Sequence, residues 1–304
     1  MYFLRRLVFA IPLVLVISAL AFFLVHIAPG GPFDRERAPA SPEIERNLLA
    51  EYHLDEPVWK QYLRYLDGLA HGDFGPSLKY RNHSVNDIIV QGLPVSMTLG
   101  GLAFCFAMGA GLPIGFFAAA RRGRWEDYAG NSFAILAVCV PGLVIAPLLI
   151  LIFAIKLKLL PVALWGSPLN AILPTLSLGL FFAGKVARLF REGMLGAMQS
   201  EFVMAARAKG LNETKLFVSH ALRIAILPVV SYSGPMLADL LTGSFIVENI
   251  FQIPGIGVFL VNGSLNRDYT MVVGLALLYA VLLIGLNLFV DFAYTLLDPR
   301  VKYE

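Results

Sequence analysis

Apolar residues fall into six long runs, roughly Leu7–Ile27, Met97–Ala120, Phe133–Ile155, Ile172–Phe190, Ile226–Val247 and Met271–Leu297. A helix needs about 20 apolar residues to cross a bilayer core, so the pattern predicts about six transmembrane helices. Arg5 and Arg6 precede the first run, as in a signal peptide. That run is long and no small-residue cleavage site follows it, so an uncleaved anchor is expected. Pro113, Pro141, Pro147, Gly109, Gly111 and Gly115 lie inside the runs. Gly111 and Gly115 form a GxxxG pair, read as a helix-packing face. The prolines free backbone carbonyls that neighbouring helices or a wet cavity must satisfy.

Two segments between the runs carry the polar–apolar periodicity of surface helices. In the first, about residues 28–94, Ser41 and Pro42 suit a helix start, and Ile44, Leu48, Leu49 and Tyr52 recur at helical spacing. A second helix begins near Asp55-Glu56-Pro57, carries the stripe Trp59, Tyr62, Leu63, Leu66 and Leu69, and ends at Gly72. Ser84 and Asp87 have the spacing of a capping box before Ile88 and Ile89. The segment reads as a small helical cap, serving either as a structural lid or as a docking surface.

The second segment, about residues 191–225, reads as helix, glycine hinge, helix. Ser200 is placed to cap the helix Glu201–Lys209, Gly210 stops it, and Asn212 is placed to cap the next through Glu213, Lys215, Leu216 and Phe217. The segment is expected to present Phe202, Ala205, Ala206, Leu216 and Phe217 with the basic Arg207 and Lys209. Such a surface fits a hydrophobic groove on a partner. Spacing alone equally allows an amphipathic loop lying on the membrane.

Lysine and arginine placement sets the orientation. With the N-terminus inside, the cytoplasmic segments hold Arg5, Arg6, Arg121, Arg122, Arg124, Lys185, Arg188, Arg191, Arg207, Lys209, Lys215, Arg223, Arg300 and Lys302. The outer segments hold fewer, offset by Asp34, Glu36, Glu43, Glu45 and Glu51. Six spans then put both termini in the cytoplasm.

Composition agrees: of 304 residues, 58% are hydrophobic and 15% charged, with mean hydropathy +0.71. The net charge of +3 gives no hint of nucleic acid. Cys105 and Cys139 sit in apolar runs and are expected to be small buried hydrophobes, not a disulfide or metal pair. Gly179 to Lys185 has P-loop spacing, but Val186 stands where Ser or Thr must meet magnesium. Asn212-Glu213-Thr214 is a glycosylation triplet on the wrong side of the membrane. The chain contains no HExxH or GxSxG.

Asp239 lies within the fifth run, where an ionisable group costs a few kcal/mol unless paired or wetted. It reads as a functional carboxylate facing a wet pathway, or as an interhelical contact. Asn287 and Asp291 share a face of the sixth helix and suit a structural contact. Glu248 is read as a loop anchor and His26 as an interfacial histidine.

Ala205-Ala206 followed by Gly210 resembles the "EAA…G" loop of bacterial ABC-importer permeases. His220-Ala221-Leu222-Arg223 and Leu227-Pro228 are similar to the version in dipeptide and oligopeptide permeases. Met204 stands where the naming glutamate would be, which removes one polar contact. Leu4-Arg5-Arg6, Ala28-Pro29-Gly30, Gly72-Asp73-Phe74-Gly75 with Ser77, Val247-Glu248, Pro254-Gly255-Ile256-Gly257, Asn266-Arg267-Asp268-Tyr269 and Asp298-Pro299-Arg300 also resemble this family, in order. The stretch from Leu69 to Asp87 is closest to the B-type oligopeptide permeases.

The resemblance implies an all-α integral membrane protein of the type I importer permease fold. Residues 1–27 would be the first transmembrane helix, 28–96 an extracytoplasmic helical cap, and 97–304 a five-helix core. It implies a sister permease, two cytoplasmic ATPase subunits, a periplasmic peptide-binding protein and a peptide substrate, in the bacterial inner membrane. ATP and magnesium would belong to the ATPases, with no cofactor on this chain. The coupling loop would be Glu201, Phe202, Ala205, Ala206, Arg207, Lys209, Gly210, Leu211, Leu216 and Phe217, and the candidate pathway residue is Asp239. Similar permeases serve dipeptide, nickel and antimicrobial-peptide importers. Readings from other classes are an intramembrane enzyme, which needs a catalytic pair within the spans, and a passive channel or scaffold, which needs no helix–glycine–helix loop.

Overall fold

The computed structural model describes residues 2–27, 42–80, 82–241 and 245–297; for 2–7, 42–45, 48 and 290–297 only the backbone is described. Ser41, Asp34, Glu36, the Ala28-Pro29-Gly30 and Asp298-Pro299-Arg300 motifs and Lys302 lie outside the described residues. Regular structure there is helical, apart from one bridge between Pro76 and Ser84. Helices α1 (Tyr2–Ile27), α2 (Pro42–Glu51) and α3 (Val58–Ala70) precede α4 (Val85–Ala120), α5 (Trp125–Cys139) and α6 (Gly142–Leu149). Next come α7 (Pro168–Met198), α8 (Glu201–Ala208), α9 (Glu213–Lys215), α10 (Leu222–Leu241), α11 (Phe245–Ile250), α12 (Ile256–Asn266) and α13 (Tyr269–Leu297).

Five helical stretches among the described residues are long and apolar enough to cross a membrane: Val8–Ile27, Val85–Ala120, Pro168–Met198, Glu213–Ile250 (leaving aside residues 242–244) and Tyr269–Phe289. A bent pair of helices makes six if it counts as one span. The sequence predicts a single helix over 133–155, but α5 and α6 meet at 106°. Proline disfavours the helical region for the residue before it. Val140 is accordingly extended (φ −86°, ψ 119°), and Pro141 starts α6. Beyond α6, Ile150–Lys156 is wound as a π-helix.

The chain divides into two compact units, one mainly Met1–Ser96 with Pro254–Gly285 and the other mainly Met97–Ile253 with Leu286–Lys302. In the second unit α7 packs most extensively against α10 and α5. Small residues let α4 approach it closely. A Cβ at Gly111 would lie 2.7 Å from the Ala183 carbonyl oxygen, and one at Gly115 only 2.4 Å from that of Ala187. The GxxxG pair is therefore a packing face within the chain. Ala107, Ala183, Val186, Met194 and Met236 fill the core beside it. Cys105 and Cys139 are exposed on the chain's surface rather than buried. Lipid is itself apolar, so an apolar run carries no signal of which side faces the protein core.

In the first unit one buried carboxylate joins segments far apart in sequence. Asp268 is fully buried and accepts hydrogen bonds from Ser77 Oγ (2.5 Å), Leu78 N (3.1 Å), Lys79 N (3.2 Å) and Met271 N (3.2 Å), while the Thr270 hydroxyl beside it donates to the Pro76 carbonyl (2.5 Å). It thus ties the loop after α3 to the start of α13. Ser84 and Asp87 form the expected reciprocal cap, with Ser84 N donating to Asp87 Oδ2 and Asp87 N to Ser84 Oγ. The cap starts α4 well before the apolar run begins.

In α3 the buried side chain is Tyr65, whereas Trp59 and Leu63 of the expected stripe are exposed. Tyr65 packs with Phe22 of α1. His26 stacks on Phe22, donates from Nδ1 to the Phe22 carbonyl and places Nε2 3.2 Å from Gln61 of α3. It is thus a docking contact between the two helices.

Replacing Gly115 with Val is expected to lower the stability of the detergent-solubilised protein by about 1–3 kcal/mol, because the neighbour it meets is backbone. Asp268→Ala is expected to cost about 2–3 kcal/mol by leaving buried donors unpaired. Unfolding curves of each variant against the parent check both.

Candidate functional site

The segment after α7 turns sharply and lays α8 beside the turn Leu216–Ala221 that leads into α10. Ser200 has the extended backbone of an N-cap, but its hydroxyl donates back to the Ala197 carbonyl (2.5 Å). The expected side-chain cap is thus replaced by a bond that closes the preceding turn, and the Val203 and Met204 amides bond to the Ser200 carbonyl (3.1 Å each). At the other end Gly210 is left-handed (φ +86°). Its amide donates to Arg207 O, and that of Leu211 to Ala206 O, a closed C-cap that a Cβ would strain. Asn212 Oδ1 then accepts from Lys215 N (2.9 Å) and starts α9. A π-helical turn, Leu216–Ala221, leads into α10.

This arrangement sorts the segment into two faces. Val203 and Leu216 are fully buried and Ala206 nearly so, with Met198 and Leu211 packed against them. Ala206 and Leu216, expected to be presented outward, are instead the pins that hold α8 down. One face of so short a helix must pack for it to persist. Phe217 is half-buried, edge-on to Phe116. The outward face is Glu201, Phe202, Met204, Ala205, Arg207, Lys209 and Gly210. Phe202 is 40% and Met204 50% exposed, a hydrophobic surface for which the fold supplies no cover. Arg207 clasps Glu213 across the glycine turn through Nε–Oε1 (2.7 Å) and Nη2–Oε2 (3.1 Å). That bond holds the guanidinium more firmly protonated than usual. Arg207 is thus basic, as its sequence position suggests, and is also paired with the glutamate six residues on.

Beside this face lies an open groove of about 550 Å³, lined by Arg121, Arg122, Arg124, Gln199 and Phe217 among others. Arg191 of α7 makes a bidentate pair with Asp127 of α5 (2.7 and 3.1 Å), and Gly123 N donates to the same carboxylate. This pair locks the helix ends that carry the groove and α8.

Asp239 is exposed on α10, two turns beyond Tyr232. Lys185 was read as a flanking charge, but α7 runs on to Met198 and places Lys185 inside the helix, its ammonium 4.5 Å from the Phe181 ring and 5.6 Å from the Tyr232 ring. Glu248 is buried in α11, and Asn287 is half-buried on α13. The side chain of Asp291 lies outside the described residues. Among the described residues no group of three or more His, Cys, Asp or Glu is placed to hold a metal ion.

The structure is a membrane-spanning helical bundle with a short, clamped helix turned out from its central helix, and comparison with known proteins gives its class, a transport permease. Residues 111–303 match the family of binding-protein-dependent transport system inner membrane components. The chain is 44% identical over 301 residues to the oligopeptide transport system permease protein OppB of Haemophilus influenzae, covering 98% of both. It is 44% identical over 289 residues to the dipeptide transport system permease protein DppB of Bacillus subtilis, covering 95% of this chain and 94% of the relative. Its fold is shared with the methionine ABC transporter MetNI in inward-facing form (TM-score 0.57, 16% identity, 69% of this chain and 96% of the other). An amino acid ABC transporter also shares it (TM-score 0.57, 18% identity, 68% and 93%). The chain belongs to the binding-protein-dependent transport system inner membrane component family.

A double-mutant cycle on Asp127→Asn and Arg191→Gln is expected to give a coupling energy of about 1.5–3 kcal/mol, as for a charged, largely buried hydrogen-bonded pair. Strictly additive effects on unfolding would show that the two side chains act independently.

Proposed function

We propose that the chain is one of two permease subunits of a peptide importer, and that α8 with the Gly210 turn is the element that couples it to ATPase subunits. The observation that carries the coupling reading is the two-faced clamp. Val203, Ala206 and Leu216 anchor α8 from beneath, so a push on Phe202, Met204 and Ala205 would pass directly into α7 and α10. A helix loosely attached to its own chain would dissipate that motion. Arg207, Lys209 and the Arg121–Arg124 groove surround the contact with positive charge, which suits the cytoplasmic face; on this reading, with six spans, both termini lie on that side of a bacterial inner membrane. The partners are a sister permease, two ATPase subunits that carry ATP and magnesium, and a periplasmic peptide-binding protein. Functionally, residues 1–27 anchor the chain, 28–96 form the outer cap and 97–304 the permease core. Asp239 is the pathway residue.

Full-length similarity to OppB supports oligopeptides as substrate, and equal identity to a DppB favours dipeptides as the second reading. Uptake of a dipeptide against a tetrapeptide by the reconstituted complex separates the two.

Gly210→Pro tests the coupling. Proline cannot adopt φ +86° and lacks the amide that bonds Arg207 O. The intact chain, expressed with its sister permease, ATPases and binding protein, is expected to give binding-protein-stimulated ATP hydrolysis in lipid. The variant is expected to lose stimulation at least about tenfold, or to lose the ATPases on purification. Full stimulation in the variant would contradict the coupling role.

A further inference from the structure

We propose that Lys185, Tyr232 and Asp239 form an amphoteric station in the pathway that holds the two ends of a peptide, Lys185 taking the carboxylate and Asp239 the ammonium. This rests on the peptide-permease reading and adds the chemistry by which the permease itself recognises its cargo. Three observations carry it.

First, Asp239 is exposed on a helix that crosses the membrane, on the face it shares with the exposed Ser231 and Pro235. A carboxylate turned to hydrocarbon is costly, so this face meets water or another polar surface rather than lipid tails. Second, Lys185 lies inside α7, about 20 Å from the Met198 end at 1.5 Å per residue. Its ammonium is held between the Phe181 and Tyr232 rings. Aromatic faces stabilise a cation without consuming its hydrogen-bond donors. Among the described residues Lys185 forms no ion pair with a carboxylate. Third, the polar stripe continues along the same face of α7 through Arg188 and Glu192, which are 61% and 57% exposed. A charged track thus runs from Asp239 to the α8 end of the helix.

Spacing supports the pairing. Tyr232 and Asp239 are about 10 Å apart along α10, the reach of roughly three extended residues. The Lys185 ammonium lies 5.6 Å from the Tyr232 ring, so the rise from Tyr232 to Asp239 sets the scale of the station, and a tripeptide is the size proposed to bridge it, with its carboxylate at Lys185 and its ammonium at Asp239. A longer peptide would engage one end at a time as it moves.

The test uses the whole complex, with binding protein and ATPases, in liposomes, and measures uptake of tri-alanine, N-acetyl-tri-alanine and tri-alanine amide. Each variant is compared with the parent for each peptide, so selection by the binding protein cancels. Lys185→Gln is expected to slow uptake of tri-alanine about tenfold and to leave the amide nearly unchanged. Asp239→Asn is expected to slow tri-alanine similarly and to leave the N-acetyl peptide nearly unchanged, and Lys185→Arg to retain uptake. A uniform loss for all three peptides, or no loss, overturns the station. If the parent complex takes up none of the peptides, the peptide-permease reading itself fails.

A second readout covers variants that do not assemble. Ser231→Cys, in a chain with Cys105→Ala and Cys139→Ala, is expected to react with a water-soluble maleimide and to be protected about threefold by tri-alanine. An unreactive cysteine, or one that tri-alanine does not protect, overturns the proposal.

Discussion

Close backbone packing along α7 is the constraint on which its half of the molecule depends. Bringing two apolar helices together in lipid gains little from the hydrophobic effect, because the tails are as apolar as the side chains. What remains is contact, and α7 obtains it through small residues. Gly111 and Gly115 of α4 meet the Ala183 and Ala187 carbonyls, and Gly184 of α7 meets Ala134 of α5. Charge finishes the job at one end of α7, where Arg191 holds Asp127. The rigid rod so built carries Lys185 within it and α8 at its end.

Local chemistry was readable in the sequence, and pairing across the chain was not. The apolar runs other than the third, the Ser84–Asp87 cap, the Gly210 stop and the Asn212 cap each depend on a few neighbouring residues, and each is present. The bend at Pro141 is a local signal too. It went unused because prolines are tolerated inside membrane helices, so length outweighed it. Asp127–Arg191 and Ser77–Asp268 join residues far apart in sequence, and no pattern within either segment names its partner.

Which face of a short helix is buried was the other blind spot. The spacing of Phe202, Ala205, Ala206, Leu216 and Phe217 is amphipathic, but it does not say which members pack beneath. Ala206 and Leu216 do, and Phe202 and Ala205 do not. The same ambiguity put Trp59 and Leu63 on the inner face of α3, where Tyr65 lies instead. In the spans it made Cys105 and Cys139 seem interior, because periodicity against lipid is weak.

The account's central claim is that the outward face of α8 meets an ATPase. Photo-crosslinking groups placed singly at Phe202, Met204 and Val203 of the assembled complex test it most directly. The first two side chains are exposed and the third is fully buried. The account predicts adducts with an ATPase subunit from positions 202 and 204 and none from 203. Adducts from 202 and 204 with lipid alone would contradict it and return α8 to the status of a helix lying on the membrane.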